Sequence, residues 1–246
     1  MRSSNPTLKS EIFTTCTAVP GQTETMTIGG TVNKSALMLL LVFLTSACSW
    51  SMFINGSPWV QPLMYVGIGG GLLMAIVTVV KKQWSAVTAP VYALFQGLFL
   101  GSVSAIFEAM FPGIVVMALT LTMGTFLCLL LAYKSGYIKA TENFKLGVVA
   151  ATGAIAVVYL LSFVLNLFGS SMPYIHDSGW MGIGFSLFVV VIAALNLVLD
   201  FDFIEQGSAA GAPKYMEWYA AFGLTVTLIW LYLEILRLLS KIMSKR

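Results

Sequence analysis

The sequence predicts an all-α integral membrane protein built as a seven-transmembrane-helix bundle. Hydrophobic residues make up 58% of the 246 residues, charged residues make up 9%, and the mean hydropathy is +0.89. Ordinary globular chains carry about 25% charged residues. Residues 35–80 contain no charged side chain at all. A water-facing surface needs more charges than this, whereas a surface in contact with lipid must avoid them.

Seven apolar runs each approach the ~20 residues that an α-helix needs to cross a bilayer. The predicted spans are Ser35–Ile54, Val60–Val80, Thr88–Glu108, Ile114–Tyr133, Leu146–Phe168, Trp180–Leu199 and Trp218–Leu239. Strands of a membrane barrel would instead alternate in polarity over segments of about ten residues. We therefore predict helices, whose backbone hydrogen bonds are satisfied within each segment.

The connections between the spans carry turn-forming and polar residues. Asn55–Pro58 joins the first two spans, and Lys81-Lys82 separates the second from the third. Phe111–Gly113 is a tight link, residues 134–145 form a polar connection, and residues 207–213 break the chain before the last span.

Small and polar residues inside two spans predict contacts between helices. In the second span these are Gly67, Gly69, Gly70 and Gly71, and in the third they are Gln96, Ser102 and Ser104. Glycines let helices approach closely, and buried hydroxyl and amide groups form hydrogen bonds between helices. A phosphate-binding loop is the competing reading of the glycines, but no strand precedes them and no Lys-Ser/Thr follows them.

We divide the chain into a polar N-terminal tail, residues 1–33, and a transmembrane domain, residues 34–246. Residues 1–34 and the loops on the same side of the predicted membrane hold nine Lys and Arg residues, and the three opposite loops hold none. This asymmetry predicts a cytoplasmic N-terminus. No cleavable signal peptide is predicted, because the expected apolar stretch near the N-terminus is missing.

The C-terminal tail conflicts with this orientation. Seven crossings would place it outside the cytoplasm, yet it carries Arg237, Lys241, Lys245 and Arg246. Three explanations remain open: the seventh span crosses against the charge rule, it is re-entrant, or another span does not cross fully.

Several functional classes are disfavoured. The small, dispersed net charge of +3 argues against a nucleic-acid partner. Cys16, Cys48 and Cys128 have neither zinc-site nor redox-pair spacing. His176, the single histidine, lies beside Asp177 in a predicted loop, which favours a solvated residue over a metal ligand or a pH sensor. No catalytic constellation occurs at membrane depth, so we expect neither an enzyme nor a cofactor.

The acidic candidates at membrane depth are Glu108, Asp200, Asp202 and Glu234. An ionisable residue at membrane depth is by default a hypothesis about function. Asp200 and Asp202, at the end of the sixth span, could face the bundle interior and hold a cation such as calcium, or share a proton. The alternative, weighted equally, is that both are solvated at the membrane surface.

The other two carboxylates carry competing interpretations as well. Glu234 is either an ion-pathway or gating group, or the partner of Arg237 in a local ion pair three residues apart, which is favoured. Glu108 either lies at the mouth of a pore or is an interfacial carboxylate, and the interfacial interpretation is favoured.

Three stretches together resemble one family. They are the Gly-rich run Tyr92–Glu108, the sequence Leu-Asp-Phe-Asp-Phe-Ile-Glu at 199–205, and the last span Trp218–Leu239 with its Leu-Arg-Leu-Leu ending. The chain resembles the Bax inhibitor-1 family, the transmembrane Bax-inhibitor-motif proteins, and most of all its bacterial branch, from about residue 30 to the C-terminus.

The resemblance implies a seven-helix bundle with a central last helix and a pH-dependent calcium leak controlled by two proton-sensing aspartates. The first aspartate maps best to Asp202, with Asp200 as a close competitor. The position of the second is occupied here by Thr227. The paired-aspartate latch therefore does not carry over intact, and Glu234 or the Asp200–Asp202 pair is the candidate substitute.

From these observations we predict a pH-sensitive cation leak channel or transporter, with calcium as the transported ion. We expect it to lie in a bacterial cytoplasmic membrane. The alternative is a membrane protein that transports nothing and modulates a membrane-bound AAA protease through its exposed N-terminal tail. This alternative comes from the resemblance, because some bacterial members of the family resemble modulators of such a protease.

Overall fold

A computed structural model describes residues 24–168 and 179–245. Within these ranges, seven helices are long and apolar enough to cross a membrane, which confirms the predicted fold class. They are α1 (Ile28–Ile54), α2 (Val60–Val80), α3 (Ser85–Met110), α4 (Ile114–Lys134), α5 (Glu142–Leu167), α6 (Trp180–Ala209) and α7 (Met216–Ser244). A short 3-10 turn, Lys82–Trp84, precedes α3.

Helix α1 begins at Ile28, seven residues before the predicted span and inside the segment assigned to the polar tail. Its N-terminus is capped by Thr27, whose hydroxyl accepts a hydrogen bond from the Gly30 amide at 3.0 Å. Such a cap satisfies one of the amides that a helix N-terminus leaves free. Capping, which hydropathy does not detect, explains the earlier start.

Helix α6 continues ten residues past the predicted end of its span, to Ala209. Phe203 and Ile204 in this extension are buried in a hydrophobic cluster, so packing stabilises the additional turns. The extension places Asp200 and Asp202 within the helix and not at its end.

The chain forms two compact units. The first combines residues 24–110 with residues 202–226, and the second combines residues 111–168 and 179–201 with residues 227–245.

In the first unit, α1 and α3 approach closely where α3 carries glycine. A side chain at Gly101 would overlap the backbone of Ser46, and the Ser46 hydroxyl donates a hydrogen bond to the Gly97 carbonyl at 3.0 Å. The hydroxyls of Ser49 and Ser102 lie 2.6 Å apart in the same buried contact. The predicted hydrogen bonding between helices through Ser102 is therefore confirmed.

Helix α2 packs on α3 through three of its four glycines. A side chain at Gly67 or Gly70 would collide with Phe95, and one at Gly71 would collide with Gln96. Gly69 has no neighbour within 4 Å. Close packing is thus confirmed for Gly67, Gly70 and Gly71, which lie on one side of the helix.

The start of α7 is joined to the residues before α1 in this first unit. Thr25 forms an isolated antiparallel bridge with Pro213, and the Met26 amide donates to the Ala212 carbonyl at 2.7 Å. Glu217 is fully buried beside them. Its carboxylate accepts hydrogen bonds from the backbone and the hydroxyl of Thr27, both at 2.9 Å.

Two lysines complete the surroundings of Glu217. Lys34 pairs with one carboxylate oxygen, and Lys214 lies 3.4 Å from the other. We call Glu217, Thr27, Lys34 and Lys214 the Glu217 cluster. It holds the first turn of α1 against the first turn of α7.

The second unit contains α4, α5, most of α6 and the C-terminal part of α7. Its core includes Ile155, Val189 and Ile192, with Tyr159 and Trp230 packed against them. Aromatic contacts add to this core, for example Phe126 against Phe201 with ring centroids 5.8 Å apart.

Burial differs strongly between the helices. In the most apolar window of α7, 61% of the residues are buried, and in α6 the fraction is 50%, against 17% in α1, α2 and α5. Large apolar side chains such as Phe43 and Leu160 remain more than 60% exposed. These apolar surfaces suit contact with lipid chains, and polar residues of α6 and α7 lie in the protein interior.

Candidate functional site

Asp200 is the most unusual polar residue of the second unit. It lies in α6 and is only 7% exposed. One side of its carboxylate receives a hydrogen bond from the Thr227 hydroxyl of α7. The other oxygen, Oδ2, is buried and has no hydrogen-bond partner among the described residues.

No other buried side-chain nitrogen or oxygen in residues 24–168 and 179–245 lacks a partner in this way. Leaving a buried charged acceptor unsatisfied is costly, and native structures rarely retain such a group without a reason. The free oxygen can be satisfied by a proton or by a bound cation. The geometry thus identifies Asp200 as the candidate site for either occupant.

A polar line extends from Asp200 along the same face of α6. Asn196 lies one turn earlier, and its side-chain amide donates to the Thr152 hydroxyl of α5 at 2.8 Å. Asn196 is 8% exposed, and Thr227 is equally buried. Four polar side chains from α5, α6 and α7 therefore occur at membrane depth in the second unit: Thr152, Asn196, Asp200 and Thr227.

Asp202 has a different environment, although it is only two residues away. A separation of two residues turns side chains about 200° apart on an α-helix. Asp202 accepts a hydrogen bond from the Gln206 amide at 2.6 Å and is partly exposed. The structure therefore does not bring Asp200 and Asp202 together as one calcium site.

By the resemblance, the first family aspartate corresponds best to Asp202. The position of the second family aspartate is occupied by Thr227. The structure pairs Thr227 with Asp200. The resemblance implies a pair of carboxylates, and here the pair consists of one carboxylate and one hydroxyl. Asp200, and not Asp202, is the aspartate that contacts Thr227, the position of the second family aspartate.

Glu234 lies further along α7 and is 2% exposed. It forms the local ion pair with Arg237 at 2.8 Å that the sequence favoured. Both groups also contact Tyr159 of α5: its hydroxyl donates to the Glu234 carboxylate at 3.0 Å and lies 2.7 Å from Arg237 Nη1. This Tyr159–Glu234–Arg237 group is fully hydrogen-bonded on the carboxylate side, in contrast to Asp200.

The remaining candidates lie elsewhere or outside the described ranges. Glu108 is partly exposed two residues before the end of α3. Cys48 and Cys128 are exposed free thiols, while Cys16 and His176 fall outside the described residues. Within the described ranges, no group of three or more His, Cys, Asp and Glu side chains is placed to hold a metal ion.

Three polar residues were missed by the sequence analysis. Thr152 and Tyr159 resemble ordinary residues of an apolar helix, and only the fold shows that they face Asn196 and Glu234. Glu217 was missed because the last span was predicted to begin at Trp218. The acidic residue in the first turn of α7 was the available signal, since such residues favour helix N-termini.

Comparison with known families gives a match over almost the whole chain. The family described as Bax inhibitor 1 like matches residues 5–244. No curated protein and no solved structure matches the chain significantly. The match agrees with the seven apolar helices and with the resemblance seen in the sequence. The chain therefore belongs to the Bax inhibitor 1-like family of integral membrane proteins.

Proposed function

We propose that this protein is a proton-sensitive cation leak channel or transporter, with calcium as the cation and Asp200 as its controlling group. The observation that carries the proposal is the buried Oδ2 atom of Asp200, which has no hydrogen-bond partner among the described residues. An amide at this position would keep the hydrogen bond from Thr227 and remove a poorly compensated buried charge, so stability alone does not call for a carboxylate here.

The contact between Asp200 and Thr227 supplies a latch between α6 and α7. When Asp200 is deprotonated, the hydroxyl of Thr227 donates to a charged oxygen, and such hydrogen bonds are about twice as strong as neutral ones. The second oxygen attracts a cation at the same time. Protonation removes the charge, weakens the latch and releases the cation.

Asn196 and Thr152 support this mechanism as the continuation of the polar line. Their side chains give a partly dehydrated cation polar atoms one helical turn from Asp200. Carbonyl, hydroxyl and carboxylate oxygens are the ligands that calcium prefers. In this proposal the protein moves ions and catalyses no covalent reaction.

The first experiment measures calcium flux into proteoliposomes holding the purified protein, at about pH 6 and about pH 8, on either side of neutrality. We expect greater flux at the lower pH in the wild type. Asp200→Asn mimics the protonated carboxyl, so its flux should be raised and equal at the two pH values.

Asp202→Asn is the matched control, because it makes the same chemical change two residues away on the other face of α6. We expect its flux to keep the pH dependence of the wild type. If Asp200→Asn retained that dependence while Asp202→Asn lost it, the control of flux would belong to Asp202. Absence of flux above empty liposomes would refute the transport proposal.

The alternative function, modulation of a membrane-bound protease, is favoured by one observation in the first unit. Thr25, Met26 and Thr27 are fixed to the start of α7 by the bridge to Pro213 and by Glu217. A partner that gripped the residues before them could thus act directly on α7.

Deletion of residues 1–23 tests this alternative without removing the Thr27 cap. The truncated protein and the full chain are expressed in the same host and purified in mild detergent. A protease that copurifies with the full chain and is lost on truncation would support the alternative. Equal recovery with both chains would exclude the tail as its binding site.

A further inference from the structure

The C-terminal end of α7 carries a row of basic side chains that the proposed transport does not use. Arg237, Lys241 and Lys245 are spaced four residues apart, so they lie along one face of the helix, about 6 Å apart per step. We call these three residues the basic stripe. Residues 235–246 contain four basic residues and no acidic one.

The basic stripe is fixed against the start of α6. The ammonium group of Lys241 donates to the Gly182 carbonyl at 3.1 Å and to the Ser186 hydroxyl at 2.9 Å. The ammonium group of Lys245 lies 3.3 Å from the ring centroid of Trp180. The end of α7 and the first turns of α6 therefore form one surface in the second unit.

This surface combines positive charge with exposed apolar area. Trp180 is 80% exposed, and its neighbour Met181 is 70% exposed. Ile242, between the two lysines in sequence, is 38% exposed. Tryptophan beside lysine at the end of a membrane helix is typical of the layer in which lipid headgroups lie.

We propose that Lys245 and Trp180, at the C-terminal end of the basic stripe, bind the phosphate of an anionic phospholipid. The exposed Lys245 supplies charge-assisted hydrogen bonds to the phosphate oxygens. Lys241 and Arg237 add positive charge nearby, and the exposed Met181 and Ile242 contact the acyl chains. Free phosphate would use only the charged part of the surface, so the apolar part favours a lipid. Basic surfaces between membrane helices are known to recognise such headgroups.

The proposal also accounts for the basic C-terminus that conflicts with the positive-inside rule. With a cytoplasmic N-terminus and seven full crossings, this surface would lie on the opposite side of the membrane. The positive-inside rule gives no reason for Lys and Arg residues on that side, because it enriches them in cytoplasmic loops. A bound anionic headgroup gives the exposed Lys245 a counter-charge there.

Native mass spectrometry of the full-length protein tests the site, with phosphatidylglycerol and phosphatidylcholine titrated separately. We expect bound phosphatidylglycerol and little phosphatidylcholine. Lys245→Gln should weaken phosphatidylglycerol binding about fivefold, as expected for one lysine near a membrane surface. Trp180→Leu should also weaken it. Lys245 and Trp180 are both exposed, so these variants should fold normally, which their unfolding temperatures in detergent verify.

Lys81→Gln is the matched control, because Lys81 also lies over a tryptophan, Trp84, at 4.2 Å. Its lipid binding should equal that of the wild type. If Lys81→Gln lost as much lipid as Lys245→Gln, the binding would reflect general surface charge and the assigned site would be wrong. Displacement of the lipid by millimolar inorganic phosphate alone would likewise overturn the role of the apolar contacts.

Discussion

Two buried carboxylates in this protein differ in how their oxygens are satisfied. Glu217, in the first unit, has no exposed surface and is surrounded by Thr27, Lys34 and Lys214. Asp200, in the second unit, is 7% exposed and receives one hydrogen bond, from Thr227, while its Oδ2 atom has no partner among the described residues.

The difference shows how burial alone fails to distinguish a structural acid from a functional one. A buried charge that is fully paired and hydrogen-bonded is stable as an ion, and it fixes the elements that supply its partners. A buried charge with an open oxygen remains able to exchange one occupant for another. We therefore expect Glu217 to determine stability and Asp200 to determine activity, and four substitutions test this distinction.

The largest effect on stability should come from Glu217→Gln. The amide keeps the shape but removes the charge that pairs with Lys34, and breaking a buried ion pair from one side costs about 3 kcal/mol or more. The free energy of unfolding in mixed micelles of mild detergent and dodecyl sulfate measures this loss.

Lys214→Met provides the control for that variant. Lys214 is 43% exposed and 3.4 Å from the carboxylate, and exposed ion pairs contribute only about 0–1 kcal/mol. A loss in Lys214→Met as large as that in Glu217→Gln would mean that the exposed lysine, and not the buried Lys34 contact, stabilises the cluster.

Gly30→Ala should produce the next largest loss, because a side chain at Gly30 would overlap the carboxylate of Glu217. Crowding a packed site by one methyl group typically costs about 1–3 kcal/mol. Gly29 has no neighbour within 4 Å, so Gly29→Ala should instead stabilise α1 by up to about 1 kcal/mol, through helix propensity. Thermal unfolding of the two variants in detergent compares them directly, and equal shifts would contradict the close approach of Glu217 to α1.

Thr227→Val should have a comparable effect on stability and a clearer one on function. It removes the Thr227 hydroxyl that donates to Asp200, and a hydrogen bond to a charged group contributes about 1.5–3 kcal/mol. Loss of the latch should also raise calcium flux at neutral pH in proteoliposomes. Thr225→Val is the control, since the Thr225 hydroxyl donates to the Ala221 carbonyl of its own helix at 2.8 Å. Unchanged flux in Thr227→Val would exclude the latch.

The sequence predicts the fold of this protein better than the site. Long uncharged runs and glycine clusters are visible in the local sequence. They are sufficient to predict the seven helices and the close packing of Gly67 on α3. Helix ends depend on caps and on packing far along the chain. The start of α1 at Ile28 and the extension of α6 to Ala209 were missed for that reason.

The site required the fold because its residues come from different helices. Helical spacing places Asn196 and Asp200 on one face, which the structure bears out, but it cannot show that Thr227 meets Asp200 or that Tyr159 meets Glu234. The resemblance narrowed the choice to two aspartates and preferred Asp202. The contact with Thr227 favours Asp200 instead, and its role in flux stays a prediction.

Asp200→Asn should have the smallest effect on stability, and its sign is the sharpest test of the comparison. The amide is nearly the same size as the carboxylate and can still accept the hydrogen bond from Thr227, and it removes a buried charge whose second oxygen is unsatisfied. Replacing a poorly compensated buried charge is often neutral or stabilising by about 1 kcal/mol or more. Asp200→Asn should therefore unfold at the same free energy as the wild type or a higher one, in the assay where Glu217→Gln loses stability. A loss comparable to that of Glu217→Gln would mean that Asp200 is a structural ion, and its assignment as the group that controls flux would be wrong.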